Sequence, residues 1–151
     1  MTHNQIEEYL TGLEDKLLNS ERIEIEFSRK WANSFPIGSA VYIFRRGNDV
    51  VYVGETGSLK GRMQDILNTK HHTLRRNFGN HYFCDHPLYE KPSSKKSFCT
   101  ELEVLLNQNM TKELRLSYLV TELGRKELEE RLFYKHKPQY AIKGKRGTKI
   151  L

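Results

Sequence analysis

The chain has 151 residues, 37% hydrophobic and 29% charged, with 25 Lys and Arg against 19 Asp and Glu for a net charge of +6. That balance suits one soluble domain with its own core and excludes general disorder; with 2 cysteines it also excludes a disulfide framework. No apolar run approaches the ~20 residues of a membrane span, and the start Met1-Thr2-His3-Asn4-Gln5 lacks a basic-then-apolar leader, so a cytoplasmic protein with no membrane partner is expected.

Ile6, Leu10, Leu13, Leu17 and Leu18 recur at helical spacing over residues 4–18, with Thr2 or Asn4 available as the N-cap. Ile23, Ile25 and Phe27 alternate with Arg22, Glu24 and Glu26, the pattern of a short strand or an extended connection. Trp31 is expected in the core or at the edge of the helical layer. Residues 40–46 and 50–54 read as a β-hairpin, rich in Val, Tyr, Ile and Phe around Gly47-Asn48-Asp49. Ser58 caps a helix running to Leu67, whose apolar face is Leu59, Met63, Ile66 and Leu67; a further short helix holds Leu74 and Phe78.

Between residues 84 and 97, Pro87, Pro92, Ser93 and Ser94 mark a loop, the natural place for an insertion into a minimal domain. Phe98, Leu102, Leu105 and Leu106 predict a helix. Leu114, Leu116, Tyr118 and Val120 alternate as a strand, and residues 123–136 form a last helix that turns Leu128, Leu132 and Phe133 to the core before Pro138 ends it. The expected fold is α/β, a small three-stranded antiparallel sheet flanked by helices, in one domain spanning 1–151. Within it fall an N-terminal helical extension (about 1–35), a core (about 38–142) and a basic tail (about 143–151).

Charge is unevenly spread. Arg45, Arg46, Lys60, Arg62, Lys70, Arg75 and Arg76 crowd the hairpin and the segment after it, and residues 135–149 add a second basic stretch. Acidic residues concentrate in the first 26 positions and between 101 and 130. The asymmetry points to a polyanion partner, nucleic acid first.

The hairpin loop decides what Tyr42 and Tyr52 can do together, because strand side chains alternate faces. A two-residue loop sets Ile43 opposite Tyr52 and puts the tyrosines on opposite faces. A three-residue loop, Gly47 to Asp49, sets Phe44 opposite Tyr52 and Tyr42 opposite Gly54, so the tyrosines become diagonal neighbours on one face. Gly54 then leaves space for a ligand. On residue types alone, two strand tyrosines mean half-buried packing, Arg62 on a helix is solvated, and Glu129 belongs to a charge run with Glu122, Glu127 and Glu130.

Four pieces in order change that reading. Ala40-Val41-Tyr42, then Tyr52-Val53-Gly54-Glu55-Thr56, then Ser58-Leu59-Lys60-Gly61-Arg62, and last Glu129-Glu130-Arg131-Leu132-Phe133 followed by Lys137-Pro138-Gln139-Tyr140 resemble the signature of the GIY-YIG endonuclease family over residues 38–142. Three positions depart from the pattern. Ala40 replaces its glycine, Ile66 stands where the family has a tyrosine or histidine one turn after the arginine, and Ala141 stands where many relatives have asparagine. His71 or His72 is available to substitute for the missing group.

The resemblance implies a metal-dependent endonuclease acting on nucleic acid, DNA rather than RNA. It implies Tyr42 as the group that activates or positions water, Tyr52 as a phosphate or water ligand, and Arg62 as the phosphate-binding fork. Glu129, which falls on the metal-binding glutamate position counting back from Pro138, would hold Mg²⁺ or Mn²⁺, with Glu130 its rival. Lys60, His71, His72, Arg75 and Arg76 are the expected phosphate-backbone contacts. A zinc site from His81, Cys84 and His86 is the weaker metal reading. The alternatives are a nucleic-acid-binding module that keeps the fold without catalysis, and a basic protein-interaction domain.

Overall fold

The computed structural model describes residues 1–141; the basic tail and most of the second basic stretch lie outside them. Ten elements follow in order: α1 (His3–Leu18), β1 (Ile23–Glu24), α2 (Arg29–Asn33), β2 (Ala40–Arg46), β3 (Asp49–Thr56), α3 (Leu59–Asp65), α4 (Thr73–Phe83), α5 (Thr100–Glu113), β4 (Arg115–Val120) and α6 (Arg125–His136). All strand pairs are antiparallel and the order is β1-β4-β2-β3, so the sheet has 4 strands rather than the expected three. The addition is β1, which pairs only Ile23 with Leu116 and Glu24 with Arg115. Two residues of alternation could not distinguish this edge strand from a connection.

Local chemistry sets the helix starts. Thr2 closes a capping box with Gln5 on α1, and Ser58 Oγ accepts from the Gly61 amide at 3.2 Å on α3. The short helix α2, which carries Trp31, was not expected. Ser28 caps it, and the Trp31 indole donates to the Glu24 carbonyl at 3.1 Å.

Alternation along β2 builds a core on each side of the sheet. Tyr42 and Phe44 join Tyr52, Leu116, Leu59, Met63, Ile66, Leu74, Phe78, Leu102 and Leu106 on the face covered by α2 to α5. Val41 and Ile43 join Val53, Leu10, Leu13, Leu17, Leu128 and Leu132 on the face covered by α1 and α6. Phe133, expected in the core, is only half-buried, because Leu128 and Leu132 complete the contact stripe of α6. Among the described residues no helix is long and apolar enough to cross a membrane.

The hairpin keeps the expected register by a different device. Tyr42 pairs with Gly54, Ile43 with Val53 and Phe44 with Tyr52, yet Arg46 pairs with Asp49, so the loop is the two residues Gly47-Asn48. The odd residue is Val51, taken up as a bulge where the register shifts between Phe44 and Arg45. Gly47 at φ 61° provides the left-handed turn residue. The Val51 carbonyl accepts the Tyr140 amide at 2.9 Å, which ties the segment after α6 to this edge strand at the bulge.

Candidate active site

Tyr42 and Tyr52 share a sheet face, their rings 6.1 Å apart at 26°. Both are deeply packed, at 1% and 5% exposure. A Cβ on residue 54 would lie 2.4 Å from Tyr42 Cζ and 2.5 Å from its Oη. The space opposite Tyr42 is therefore filled by its own ring, not reserved for a ligand as the sequence implied. Glycine is required there so that the tyrosine can lie across the neighbouring strand.

The first turn of α3 delivers Arg62 over these rings. The Leu59 and Lys60 amides are bonded to the Gly38 and Pro36 carbonyls at 3.0 and 2.9 Å, so they hold the helix in place. Arg62 Nε donates to Tyr42 Oη at 3.2 Å. Its Nη1 donates to Asp65 Oδ2 and to the His71 carbonyl, both at 3.1 Å. The Arg62 side chain is 26% exposed, so the charged group is partly open.

His72 completes the cluster from the start of α4. Its Nδ1 accepts the Leu74 amide at 3.1 Å, and its Nε2 lies 3.2 Å from Tyr42 Oη. The ring stands 5.4 Å from that of Tyr52. Two arginines hold the turn that presents it. Arg75, 1% exposed, donates to Thr69 Oγ1, the Ile66 carbonyl, Asn107 Oδ1 and Glu103 Oε1, while Arg76 donates to the Thr69 and Lys70 carbonyls.

These contacts correct the expected phosphate-binding surface. His72 and Arg75 are buried and cannot meet a phosphate backbone; Arg75 spends its charge on Glu103 of α5, at 3.2 Å. His71 is exposed, and Lys60 and Arg76 are half-buried. Arg45 is also consumed internally, by the Leu18 carbonyl and Ser117 Oγ. A count of basic residues overstates the charge available to a partner, since a guanidinium with five donors is also a good internal clamp.

Burial pushes the Tyr42 phenol well above its ordinary value; the nearby Tyr52 adds to this, and the Arg62 charge and hydrogen bond oppose it without winning. Tyr52 is raised by burial in the same way, against Arg62, Tyr42 and Arg76. Both phenols are therefore protonated at neutral pH. Burial works against the Arg62 charge, but the phenols and Asp65 outweigh it and hold the guanidinium above its ordinary value. His72 is held well below its ordinary value by burial and then by Arg62, Arg75 and Arg76, so the imidazole is neutral.

Tyr42, Tyr52, Arg62 and His72 thus meet in one place. Glu129 stands elsewhere in the chain path, on α6, which packs chiefly on the edge strand β3. It is 8% exposed whereas Glu130 is exposed, since Leu128 and Leu132 hold that side of the helix to the sheet. Those leucines pack on the face opposite the tyrosines. Beyond α6 the chain rounds the β3 edge to the tyrosine face, where Tyr140 packs on Phe78 and its carbonyl accepts Asn77 Nδ2 at 2.9 Å.

Among the described residues, no group of three or more His, Cys, Asp or Glu is placed to hold an ion, so the zinc reading of His81, Cys84 and His86 has no support. A cation at Glu129 would draw its other ligands from water and substrate oxygens, which suits Mg²⁺ or Mn²⁺ and not zinc. Asp65 is a member of the cluster that sequence reading passed over; its only signal was its place three residues after Arg62 on one helix.

The fold and site define a small α/β domain with a buried phenol pair bridged by a guanidinium. No family model matches the chain, and no curated protein matches it. Among solved structures, the chain is similar to the GIY-YIG N-terminal endonuclease domain of UvrC from Thermotoga maritima bound to its catalytic divalent cation, magnesium. The likeness is at 21% identity over 76% of this chain and 94% of that one, with a TM-score of 0.43. Point-mutant forms of the same domain, bound to the divalent cation, match at 20% and 22% identity with the same coverage and score. The resemblance is one of chain path, and the functional reading rests on the side chains.

Proposed function

We propose that the chain is a divalent-metal-dependent endonuclease that hydrolyses phosphodiester bonds in nucleic acid. One observation carries the reading: Arg62 Nε bonded to Tyr42 Oη at 3.2 Å, with the Tyr52 ring stacked 6.1 Å from that of Tyr42. A guanidinium remains charged at any working pH, and its planar fork matches two phosphoryl oxygens. Beside protonated phenols it makes a donor-rich site, suited to an anion that gains charge in the transition state. DNA rather than RNA as substrate rests on the motif resemblance alone.

Arg62 binds the scissile phosphate. Its side chain is 26% exposed, so a phosphate can reach the guanidinium. Tyr42 and Tyr52, both protonated, donate to a phosphoryl oxygen or orient the attacking water. For Tyr42 to accept the water's proton its phenolate must be favoured, and Arg62 is the group on hand that favours it. Glu129 would hold Mg²⁺ or Mn²⁺, which when bound supplies charge neutralisation on the phosphoryl group and its leaving oxygen. Lys60, His71 and Arg76 are the remaining candidates for contacts along the backbone, and residues 38–142 are the unit that carries the activity.

The test is incubation of the purified chain with single- and double-stranded DNA and RNA, with Mg²⁺ or Mn²⁺ and with a chelator. Cleavage that the chelator abolishes is expected. Salt-dependent binding without cleavage would mark a binding module, and the absence of both binding and cleavage would exclude nucleic acid as the partner.

A further inference from the structure

The position one helical turn after Arg62 is Ile66, which is fully buried and brings no polar group to the tyrosines. The polar group beside Tyr42 comes from another element. His72 is the N-cap of α4, and its two ring nitrogens have separate partners, the Leu74 amide on Nδ1 and Tyr42 Oη on Nε2. A backbone amide can only donate, so Nδ1 must be the unprotonated nitrogen and the imidazole proton sits on Nε2. Nε2–H then donates to Tyr42 Oη. That oxygen also accepts from Arg62 Nε, so its acceptor capacity is filled and its own proton must point elsewhere.

We propose that His72 is a positioning residue for Tyr42: fixed as the Nε2–H tautomer by the cap of α4, it turns the Tyr42 O–H toward the reacting group instead of acting as a base itself. The proposal rests on the nuclease reading for its kinetic consequence and on the hydrogen bonds alone for the tautomer. The charged and titratable groups around the ring are Tyr42 from β2, Tyr52 from β3, Arg62 from α3, and Arg75 and Arg76 from α4. Among the described residues they include no carboxylate that would stabilise a protonated imidazole.

Two substitutions divide the duties of the ring. Asparagine is a strong N-cap whose short side chain imitates Nδ1 but does not reach Tyr42. Glutamine imitates Nε2 and reaches Tyr42 while capping poorly. His72→Asn should keep the thermal stability and lower kcat about tenfold with KM little changed, the size of one lost hydrogen bond; His72→Gln should lose stability and recover most of kcat. The reverse pattern, with activity following the cap, would overturn the proposal. Independently of activity, ring ¹⁵N spectra of the full chain, assigned through His72→Asn, should show the proton on Nε2 unchanged between about pH 5 and pH 8. A proton on Nδ1, or a doubly protonated ring in that range, would also overturn it. A wild-type chain that cleaves nothing defeats the nuclease reading, and the spectra then decide the tautomer by themselves.

Discussion

On one face of the β2–β3 hairpin stand Val41, Ile43 and Val53, packed against Leu10, Leu13 and Leu17 of α1 and Leu128 and Leu132 of α6; on the other stand Tyr42, Phe44 and Tyr52 under α3 and α4. The first face is largely apolar, with a few buried polar groups: Arg45 donates to the Leu18 carbonyl and Ser117 Oγ, and Glu14 of α1 meets Arg131 at 2.8 Å and also Lys135. The Leu and Val contacts at its centre do not depend on the direction of a bond. The second face buries hydroxyls, an imidazole and a guanidinium among aromatic rings, and each must find a partner. Area and shape stabilise most of the first face. The second adds a fixed orientation, because a dry polar cluster is stable only in the arrangement that satisfies it.

The sharpest way to break this comparison is to remove the charge from the polar face. Arg62→Ala should lower the cleavage rate by about 10²–10³-fold, the usual loss for a phosphate or oxyanion donor, while circular dichroism stays native. Arg62→Lys should recover little, since an ammonium cannot bridge Tyr42, Asp65 and a phosphate together. Cleavage near the wild-type rate in the lysine variant would reduce the site to a point charge.

A second test asks whether the apolar face lends the site a residue. Glu129→Gln should reduce cleavage about a hundredfold and abolish its response to Mn²⁺ titration, whereas Glu130→Gln, at an exposed position, should leave both nearly unchanged. Full activity in Glu129→Gln would confine the chemistry to the tyrosine face.

Gly54→Ala probes how tightly that face is packed. The added carbon meets the Tyr42 ring, and either the ring or the strand must move. Thermal or denaturant unfolding should show a loss of about 1–3 kcal/mol, with Tyr42 ring resonances shifted. A neutral effect would mean that the ring is free to move away.

The smallest expected effect belongs to the other side. Burial raises the Glu14 pKa, but the hydrogen bonds and charges of Lys135 and Arg131 outweigh it and leave the group below the ordinary carboxylate range. A carboxylate depressed in the folded state stabilises above its unfolded value, and that contribution disappears as pH falls through the folded value. Glu14→Gln should therefore flatten the acid limb of the stability–pH curve below about pH 4.5 and change the neutral region by about 1 kcal/mol or less. An unchanged acid limb would show that the pair contributes nothing.

Much of this was legible in the chain itself. The spacing of Leu10, Leu13 and Leu17, the caps Thr2 and Ser58, and the β-branched and aromatic runs of β2 and β3 are local signals, and local chemistry made the corresponding elements. The shared face of Tyr42 and Tyr52 was also within reach, because it follows from the parity of the hairpin. The device behind that parity was not: a bulge at Val51 and an extra loop residue give the same register, and the Tyr140 amide bound at the bulge comes from a distant segment.

Other features were decided only by tertiary packing. That Arg75 is an internal clamp and Arg76 a turn strap, that His72 caps a helix under Tyr42, and that β1 completes the sheet all depend on partners remote in sequence: Glu103, Asn107, Tyr42 and Leu116. Sequence determines which groups carry charge and which face each strand residue takes, since these follow from residue type and a period of two. It does not determine which charges are spent inside the molecule, because a long side chain's partner is chosen by the fold that surrounds it.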